Sequence, residues 1–347
     1  MMASRIRLTS PARRLGLAVI AALLHASAAH AQAVNLYTTR EPGLIKPLLE
    51  AFTKASGIQV NTVFVKDGLA ERVAAEGARS PADVLMTVDS GTLVELVDKG
   101  ITQPIQSAAL ETAIPPALRD AGGHWFALSM RARIVYASRE RVKLDAITYE
   151  DLADPKWKGK ICVRSGQHPY NTALIANLIA RSGEVAAEAW LTGLKGNLAR
   201  KASGGDREVA RDILGGICDI GIGNSYYVGL MRSGKGGPEQ KRWGDAIDTL
   251  MPRFKDGGSH VNASGAAVAK NAPNKANAIK LLEYLVTDAA QDAYARLDFE
   301  YPVKAGAPVD SIIAGLGQLV PDTTLLTEIA RNRRKASLLV DKVGFDN

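Results

Sequence analysis

The chain has 347 residues, of which 46% are hydrophobic and 23% are charged, and its formal net charge at pH 7 is +7. Four of the 43 basic residues lie in the first 31 positions, which hold no Asp or Glu, so the remainder carries +3. So mild a charge lacks the dense basic surface of a nucleic-acid-binding protein. A chain of this length also exceeds the usual size of a single hydrophobic core, so we expect two lobes.

The first 31 residues have the pattern of a secretory signal peptide. Four arginines accompany an apolar run over residues 15–24, which is too short to span a bilayer as a helix. Ala29-His30-Ala31 is an A-x-A cleavage site, so we predict cleavage after Ala31, with Ala31-Gln32-Ala33 as a second possible site. No later apolar run approaches 18 residues. We therefore predict export to the periplasm without stable insertion into a membrane.

Strands and helices alternate after this segment. Hydrophobic periodicity and glycine stops predict three strands, over residues 34–38, 59–65 and 83–88, and three helices, over residues 43–56, 69–76 and 91–99. Strands separated by helices indicate a parallel sheet and an α/β class.

A longer extended run over residues 125–136 is predicted to cross from one lobe to the other. The later patterns predict strands over 161–164, 218–222 and 261–269 and helices over 172–181, 184–191, 206–214 and 274–287. The return crossing is predicted to begin within residues 249–254, and the chain from Ala307 onward is predicted to be helical.

The chain contains two cysteines, Cys162 and Cys218. Neither has a CxxC or CxxH partner, and an exported chain meets an oxidising compartment, so we expect a disulfide rather than free thiols or a soft-metal site. Each cysteine precedes a tyrosine, Tyr170 or Tyr226, by eight residues. If the cysteines are bridged, two neighbouring strands run in step and these tyrosines emerge at one end of the sheet.

Tyr226 and Tyr227 are adjacent and follow a buried-strand pattern. Adjacent residues of a strand point to opposite faces, so we expect the pair in a loop, where both hydroxyls can converge on one object. Phenolate is a hard, anionic oxygen donor that suits a small, highly charged cation such as ferric iron. The alternative interpretation is a turn whose tyrosines pack on the surface.

Several segments together resemble the periplasmic ferric-ion-binding proteins of ABC uptake systems. The most specific are the two tyrosine-bearing loops, residues 163–171 and 224–227; the others are residues 34–40, 129–133, 149–160, 274–291 and 301–303. The resemblance implies a two-lobed periplasmic-binding-protein fold of type II with two crossing strands as a hinge. It implies an N-lobe of residues 32–131 plus 262–305 and a C-lobe of residues 132–261 plus 306–347, with the C-terminal tail packed on the C-lobe.

The same resemblance implies a site. Tyr170, Tyr226 and Tyr227 fall on the positions of the metal ligands, for one Fe³⁺ in the cleft. Arg131 and Asn224 match positions that contact a synergistic anion, such as carbonate. The implied protein is a monomer that catalyses no reaction and delivers iron to an inner-membrane ABC permease.

The chain departs from the family in its first cleft loop. Many members carry a histidine there, whereas this loop reads Arg40-Glu41-Pro42. We therefore expect no direct ligand from the N-lobe, and we expect Arg40 to help hold the anion. His168, two residues before Tyr170, is interpreted as a solvated loop residue rather than a ligand.

Two other functions fit parts of the pattern. The same fold could bind a small organic or oxyanion solute, such as thiamine, a phosphonate or a polyamine, with the tyrosines stacking on it. A periplasmic enzyme using tyrosine acid chemistry is the other, but the sequence lacks a G-x-S-x-G elbow or another activated nucleophile.

Overall fold

The computed structural model describes residues 33–347, so the predicted signal peptide and its cleavage site at Ala31 lie outside the described residues. Among residues 33–347 the structure contains no helix that is both long and apolar enough to cross a membrane.

The first six elements alternate between strand and helix, as predicted, with bounds that agree to within one residue. They are β1 (Ala33–Thr38), α1 (Pro42–Ser56), β2 (Gln59–Phe64), α2 (Leu69–Glu76), β3 (Val84–Thr87) and α3 (Ser90–Asp98). The four apolar residues of α1 that the 3.6-residue period places on one stripe are buried: Ile45, Leu48, Leu49 and Phe52. This stripe packs the helix onto the sheet.

The middle of the chain begins with two short elements and then the longest strand. The elements are β4 (Thr102–Gln103), α4 (Ala108–Ala113), β5 (Phe126–Ser138), β6 (Ile161–Cys162), α5 (Pro169–Gly196), α6 (Asp206–Leu214), β7 (Ile220–Asn224), α7 (Ser225–Arg232), α8 (Pro238–Asp245) and β8 (Ile247–Leu250).

The last part returns to the first sheet and ends in helices. Its elements are β9 (Val261–Ala269), α9 (Lys275–Leu285), α10 (Asp288–Ala293), a π-helical turn (Tyr294–Asp298), β10 (Tyr301–Pro302), α11 (Ser311–Ala314), α12 (Leu326–Arg331) and α13 (Arg333–Val343).

Strand β5 belongs to both halves of the sheet. The main strand order is β2-β1-β3-β9-β5-β7-β6, with β4 beside β9 and with β8 and β10 beside β5. Residues Phe126–Ala132 of β5 pair with β9, and residues Arg133–Ala137 pair with β7. The strand therefore passes from one half of the sheet to the other between Ala132 and Arg133, and all of its residues are buried.

The return strand crosses beside it. Ala132 is paired with Val261, and the Arg133 amide donates to the carbonyl of His260 over 3.1 Å. The Tyr149 hydroxyl joins the two crossings, because it donates to the Arg133 carbonyl (2.6 Å) and accepts from the His260 amide (3.0 Å). The two crossing strands therefore lie side by side, and the Tyr149 hydroxyl bonds to both crossings.

The predicted disulfide is confirmed. Cys162 and Cys218 are bonded, with their Cα atoms 5.8 Å apart. Strands β6 and β7 are parallel neighbours, as expected. The register partner of Cys162 is Gly221, and Cys218 lies three residues before Gly221. The bridge therefore ties the end of β6 to the segment entering β7.

The two helices predicted over residues 172–181 and 184–191 are both present within α5, because Gly183 between them has non-helical backbone angles, φ 82° and ψ 167°. Another prediction about a helix differs from the structure. Tyr226 and Tyr227 were predicted in a loop and lie instead in the first turn of α7. Asn224 ends strand β7 and also occupies the N-cap position of α7, so no loop intervenes.

The C-terminal tail contacts more than the C-lobe on which it was expected to pack. Helix α13 packs on α5, but α12 packs on both α3 and α5. The Arg333 side chain forms an ion pair with Asp89 over 3.0 Å, immediately before α3. The tail therefore bridges the two predicted lobes.

Candidate metal site

Tyr170 lies in the first turn of α5. Pro169 occupies the first helical position, where its missing amide proton costs nothing. The Nδ1 atom of His168 accepts the Tyr170 amide proton over 3.2 Å and so caps the helix. Burial, followed by the nearby Arg164, lowers the pKa of His168 to about 3, so this imidazole is a neutral acceptor and not the solvated side chain we expected.

The loop before Tyr170 is held by the end of the chain. The Asp346 carboxylate accepts from the Gly166 amide over 2.7 Å and from the Ser165 hydroxyl over 2.5 Å. A Cβ atom on Gly166 would lie 2.8 Å from the Phe345 ring, so the loop and the tail approach closely there. These contacts fix the position from which α5 begins.

The three predicted tyrosines come together. The hydroxyl oxygens of Tyr170 and Tyr226 are 3.4 Å apart, although they belong to different helices. The rings of Tyr226 and Tyr227 are in contact, with centroids 4.1 Å apart and planes tilted by 35°. All three line one cavity of about 140 Å³, together with Glu41 and other residues of the predicted N-lobe. A larger cavity, of about 990 Å³, adjoins it and shares Tyr170 and Glu41.

Burial keeps the phenols of Tyr226 and Tyr227 protonated when nothing is bound. Burial raises the pKa of Tyr226 well above 10, and Tyr170 and Tyr227 raise it further. Burial, with Tyr170 and Asp206, raises the pKa of Tyr227 to about 12. A cation that binds these oxygens must displace the protons, so its affinity increases with pH.

Arg131 is a buried guanidinium with free donors. It is 1% exposed, and its Nη1 atom donates to the Ser264 hydroxyl over 2.8 Å. Its Nε and Nη2 atoms have no hydrogen-bond partner among the described residues. The guanidinium carbon lies 5.4 Å from the centroid of the Tyr170 ring, and Arg131 lines the tyrosine cavity. Buried donors of this kind require a partner, and a planar guanidinium binds small oxyanions in a bidentate manner.

Asn224 and Arg40 are held more firmly than Arg131. The Asn224 side chain accepts from Arg133 over 3.1 Å, while its amide nitrogen has no partner among residues 33–347. The Arg40 guanidinium forms ion pairs with Asp298 (2.5 Å) and Glu300 (3.3 Å). These two carboxylates offset the charge that Arg40 would offer an anion.

The metal ligands that the described residues offer are phenols. In residues 33–347, no group of three or more His, Cys, Asp or Glu side chains is placed to hold a metal ion. The tyrosine cluster is therefore the candidate site, and it suits a hard cation of high charge.

Comparison with known proteins identifies the family of this chain. A family model for bacterial extracellular solute-binding proteins matches residues 79–314. Iron uptake protein A1 of Synechocystis sp. is 39% identical over 316 residues, which cover 90% of this chain and 88% of that protein. The chain belongs to the ferric-iron-binding family of bacterial solute-binding proteins.

Solved structures of ferric-iron-binding proteins share the fold. A Bordetella ferric binding protein is 62% identical, with a TM-score of 0.86 over 91% of this chain and 100% of that chain. A Trichodesmium protein in complex with iron and citrate ligands is 42% identical, with a TM-score of 0.86 over 90% of this chain and 99% of that chain. The predicted α/β periplasmic-binding-protein fold is confirmed, and the family is one of binding proteins rather than enzymes.

This member of the ferric-iron-binding family contains a second charged cluster, which was not predicted from the sequence. Asp206 is buried and pairs with both Arg133 and Arg164. Burial alone would raise the pKa of Asp206, but the two guanidinium groups lower it more. Both guanidinium groups also approach the Tyr170 ring, with carbon-to-centroid distances of 5.9 and 5.2 Å. One signal was visible in the sequence: Arg133 lies two residues after Arg131 on one strand, so both point to the same face.

Proposed function

We propose that this protein captures Fe³⁺ in the periplasm through the phenolate oxygens of Tyr170, Tyr226 and Tyr227, together with a synergistic anion. The proposal rests on the 3.4 Å separation of the Tyr170 and Tyr226 hydroxyl oxygens in a cavity that Tyr227 also lines. Oxygens that close can bond to one ion. Three phenolates also supply three negative charges, which neutralise one trivalent cation.

The remaining charges around the cavity support an anion. Besides the exposed Glu41, three carboxylates and four guanidinium groups line the cavity or lie beside its tyrosines: Asp206, Asp298, Glu300, Arg40, Arg131, Arg133 and Arg164. Ion pairs join every member of this set except Arg131. Within this set one positive charge, with two donor nitrogens that have no partner among the described residues, is therefore left for a small anion such as carbonate.

In this proposal Arg131 is the main anion ligand. The free amide nitrogen of Asn224 is a second donor, and Arg40 contributes from the cavity wall with the Nε atom that its carboxylates leave without a partner. No histidine of the described residues lines the cavity, and Glu41 lies on its wall as an exposed carboxylate. The anion, rather than an N-lobe side chain, completes the coordination of the iron.

We further propose that the iron-loaded protein delivers its cargo to an inner-membrane ABC permease as a monomer. Membership of the bacterial extracellular solute-binding family supports a transport role. The names of its relatives support iron as the cargo, since they include an iron uptake protein and a ferric binding protein.

A visible absorption spectrum tests the proposal. Purified protein mixed with ferric citrate and bicarbonate should develop a tyrosinate-to-iron charge-transfer band. The double variant Tyr226→Phe/Tyr227→Phe should lose most of the band and most of the affinity, because two of three phenolate ligands are removed.

Tyr301→Phe is the matched control. Tyr301 is buried, its hydroxyl has no hydrogen-bond partner among the described residues, and it does not line the tyrosine cavity. Its iron binding should equal that of the wild type. If the double variant binds iron as tightly as the wild type, or if the protein is colourless with iron and co-purifies with an organic molecule, the proposed function is wrong.

A further inference from the structure

Arg133 connects the two helices that carry the tyrosines. Its side chain is 2% exposed. The Nη2 atom donates to the Asn171 side-chain oxygen over 2.6 Å, and the Nη1 atom donates to the Asn224 side-chain oxygen over 3.1 Å. Nη1 also donates to the Asp206 carboxylate. One guanidinium group therefore binds two amides and a carboxylate at once.

The two amides are next to the ligand positions. Asn171 directly follows Tyr170 in the first turn of α5. Asn224 occupies the N-cap position of α7, two residues before Tyr226. A shift of the Arg133 side chain would therefore move the first turn of both helices, and with them the distance between the two hydroxyl oxygens.

Asn171 and Asn224 also form hydrogen bonds that do not involve Arg133. The Asn171 amide nitrogen donates to the carbonyl oxygens of Arg164 (2.9 Å) and Ser165 (3.1 Å). The backbone amide of Asn224 donates to the Asp206 carboxylate over 2.9 Å. The Asn171 side chain is thus held between Arg133 and two carbonyls and cannot rotate to follow a displaced guanidinium without breaking a bond, while Asp206 holds the backbone of Asn224.

The backbone of Arg133 is held by hydrogen bonds on both sides. It is the residue at which β5 changes from one lobe to the other, its amide donates to the His260 carbonyl (3.1 Å), and its carbonyl accepts from the Tyr149 hydroxyl (2.6 Å). Side chains that hold ligands in place need support of this kind, since small displacements of a site weaken binding.

We propose that Arg133 is a positioning residue, which sets the separation of the Tyr170 and Tyr226 oxygens for iron by bridging Asn171 and Asn224. This inference rests on the proposed function. It requires the planar fork of arginine, because a lysine carries its donors on a single nitrogen and cannot reach both amides and Asp206 in the same geometry.

Arg133→Lys tests the inference, because it keeps the positive charge beside Asp206 and removes the fork. Iron affinity, measured by competition with citrate in bicarbonate buffer, should fall by about 10- to 100-fold, as is typical when groups that orient metal ligands are changed. The visible charge-transfer band should shift and weaken, because the two oxygens no longer meet at the same distance. A merely structural role would lower stability without moving the band of the iron-loaded protein.

Arg200→Lys is the matched control. Arg200 is paired with Asp212 (2.6 Å), which lies on α6 as Asp206 does, and it bonds to neither Asn171 nor Asn224. This variant should lose stability but keep the wild-type band and affinity. Asn171→Ala removes only one arm of the bridge and should shift the band in the same direction as Arg133→Lys. It decides the question if Arg133→Lys does not fold.

The possible failures are distinguishable. If wild-type protein develops no band with ferric citrate and bicarbonate, the proposed function fails. If the wild type develops the band, and folded Arg133→Lys or Asn171→Ala has the same band and affinity as the wild type, the iron site stands and the positioning role of Arg133 is wrong.

Discussion

At the level of single residues, the site combines groups that the sequence displays with groups that it conceals. Adjacent tyrosines after a buried strand are conspicuous, and the three predicted ligand positions do converge. Asp206 was not predicted, because it lies 73 residues from Arg133 and only the fold brings them together. The sequence likewise gave no sign that two carboxylates near residue 300 would pair with Arg40.

A buried histidine makes stability depend on pH. Burial, then Arg133 and Arg131, lowers the pKa of His260 to about 3 in the folded protein, against about 6.5 when unfolded. Below pH 6.5 the unfolded chain binds a proton that the folded chain does not. The contribution of the neutral His260 side chain to the free energy of unfolding is therefore complete above pH 6.5. It is lost as the pH falls, at about 1.4 kcal/mol per pH unit.

The variant His260→Gln isolates this effect. The wild type is expected to lose about 2 kcal/mol more than the variant between pH 6.5 and pH 5, in urea unfolding of the iron-free protein. Burial also lowers the pKa of His168, but that residue is present in both proteins and cancels. A stability difference that stays constant across this range would contradict the prediction.

At the level of elements, local patterns predicted the longest helices and strands but not short elements such as β4, α4 and α8, and the failure at α7 is informative. Asn, Ser and Gly around the tyrosine pair are typical of a turn. Tertiary contacts decide otherwise: the Asn224 amide is bound by Asp206, and the Asn224 carbonyl accepts from the Tyr136 hydroxyl over 2.7 Å. With both backbone groups held, the strand passes directly into a helix, which directs the first-turn tyrosines toward α5.

The disulfide stabilises the element pair that precedes both ligand helices. Cys162 and Cys218 are 56 residues apart, so their bond restricts a long loop in the unfolded chain. A loop of this length corresponds to about 4 kcal/mol in the chain-entropy description.

Replacing both cysteines tests that description. Cys162→Ser/Cys218→Ser should lower the free energy of unfolding by 2 to roughly 5 kcal/mol, measured in urea, and reducing the wild type should have a similar effect. The folded double variant should still bind iron, because neither sulfur lines the tyrosine cavity. A double variant as stable as the oxidised wild type would contradict the prediction.

At the level of the whole molecule, the two lobes meet at contacts that no local pattern predicts. The tail helix α12 packs on α3 and α5, and Arg333 reaches Asp89. On the other side, Phe299 of the predicted N-lobe contacts Gly229 on α7. Phe299 has φ 58°, a left-handed conformation that is uncommon outside glycine, and it follows the π-helical turn. These contacts depend on how the completed lobes fit together.

The contact at Gly229 links the fit of the lobes to iron binding. A Cβ atom there would lie 2.3 Å from the Phe299 ring, so Gly229→Ala must displace either Phe299 or α7. Alanine gains about 1 kcal/mol in helix propensity, but overpacking costs about 1–3 kcal/mol. We expect a net loss of stability and weaker iron binding, because α7 carries Tyr226 and Tyr227.

A double-mutant cycle decides whether the collision is the cause. Phe299→Ala removes the ring, so Gly229→Ala should cost less stability in that background than in the wild type, and the difference is the coupling free energy. Gly196→Ala is the control, because a Cβ atom there meets no atom within 4 Å, and it should be neutral or stabilising. If Gly229→Ala costs the same with and without the Phe299 ring, the two lobes do not meet tightly at this point, and the site is shaped by the C-lobe alone.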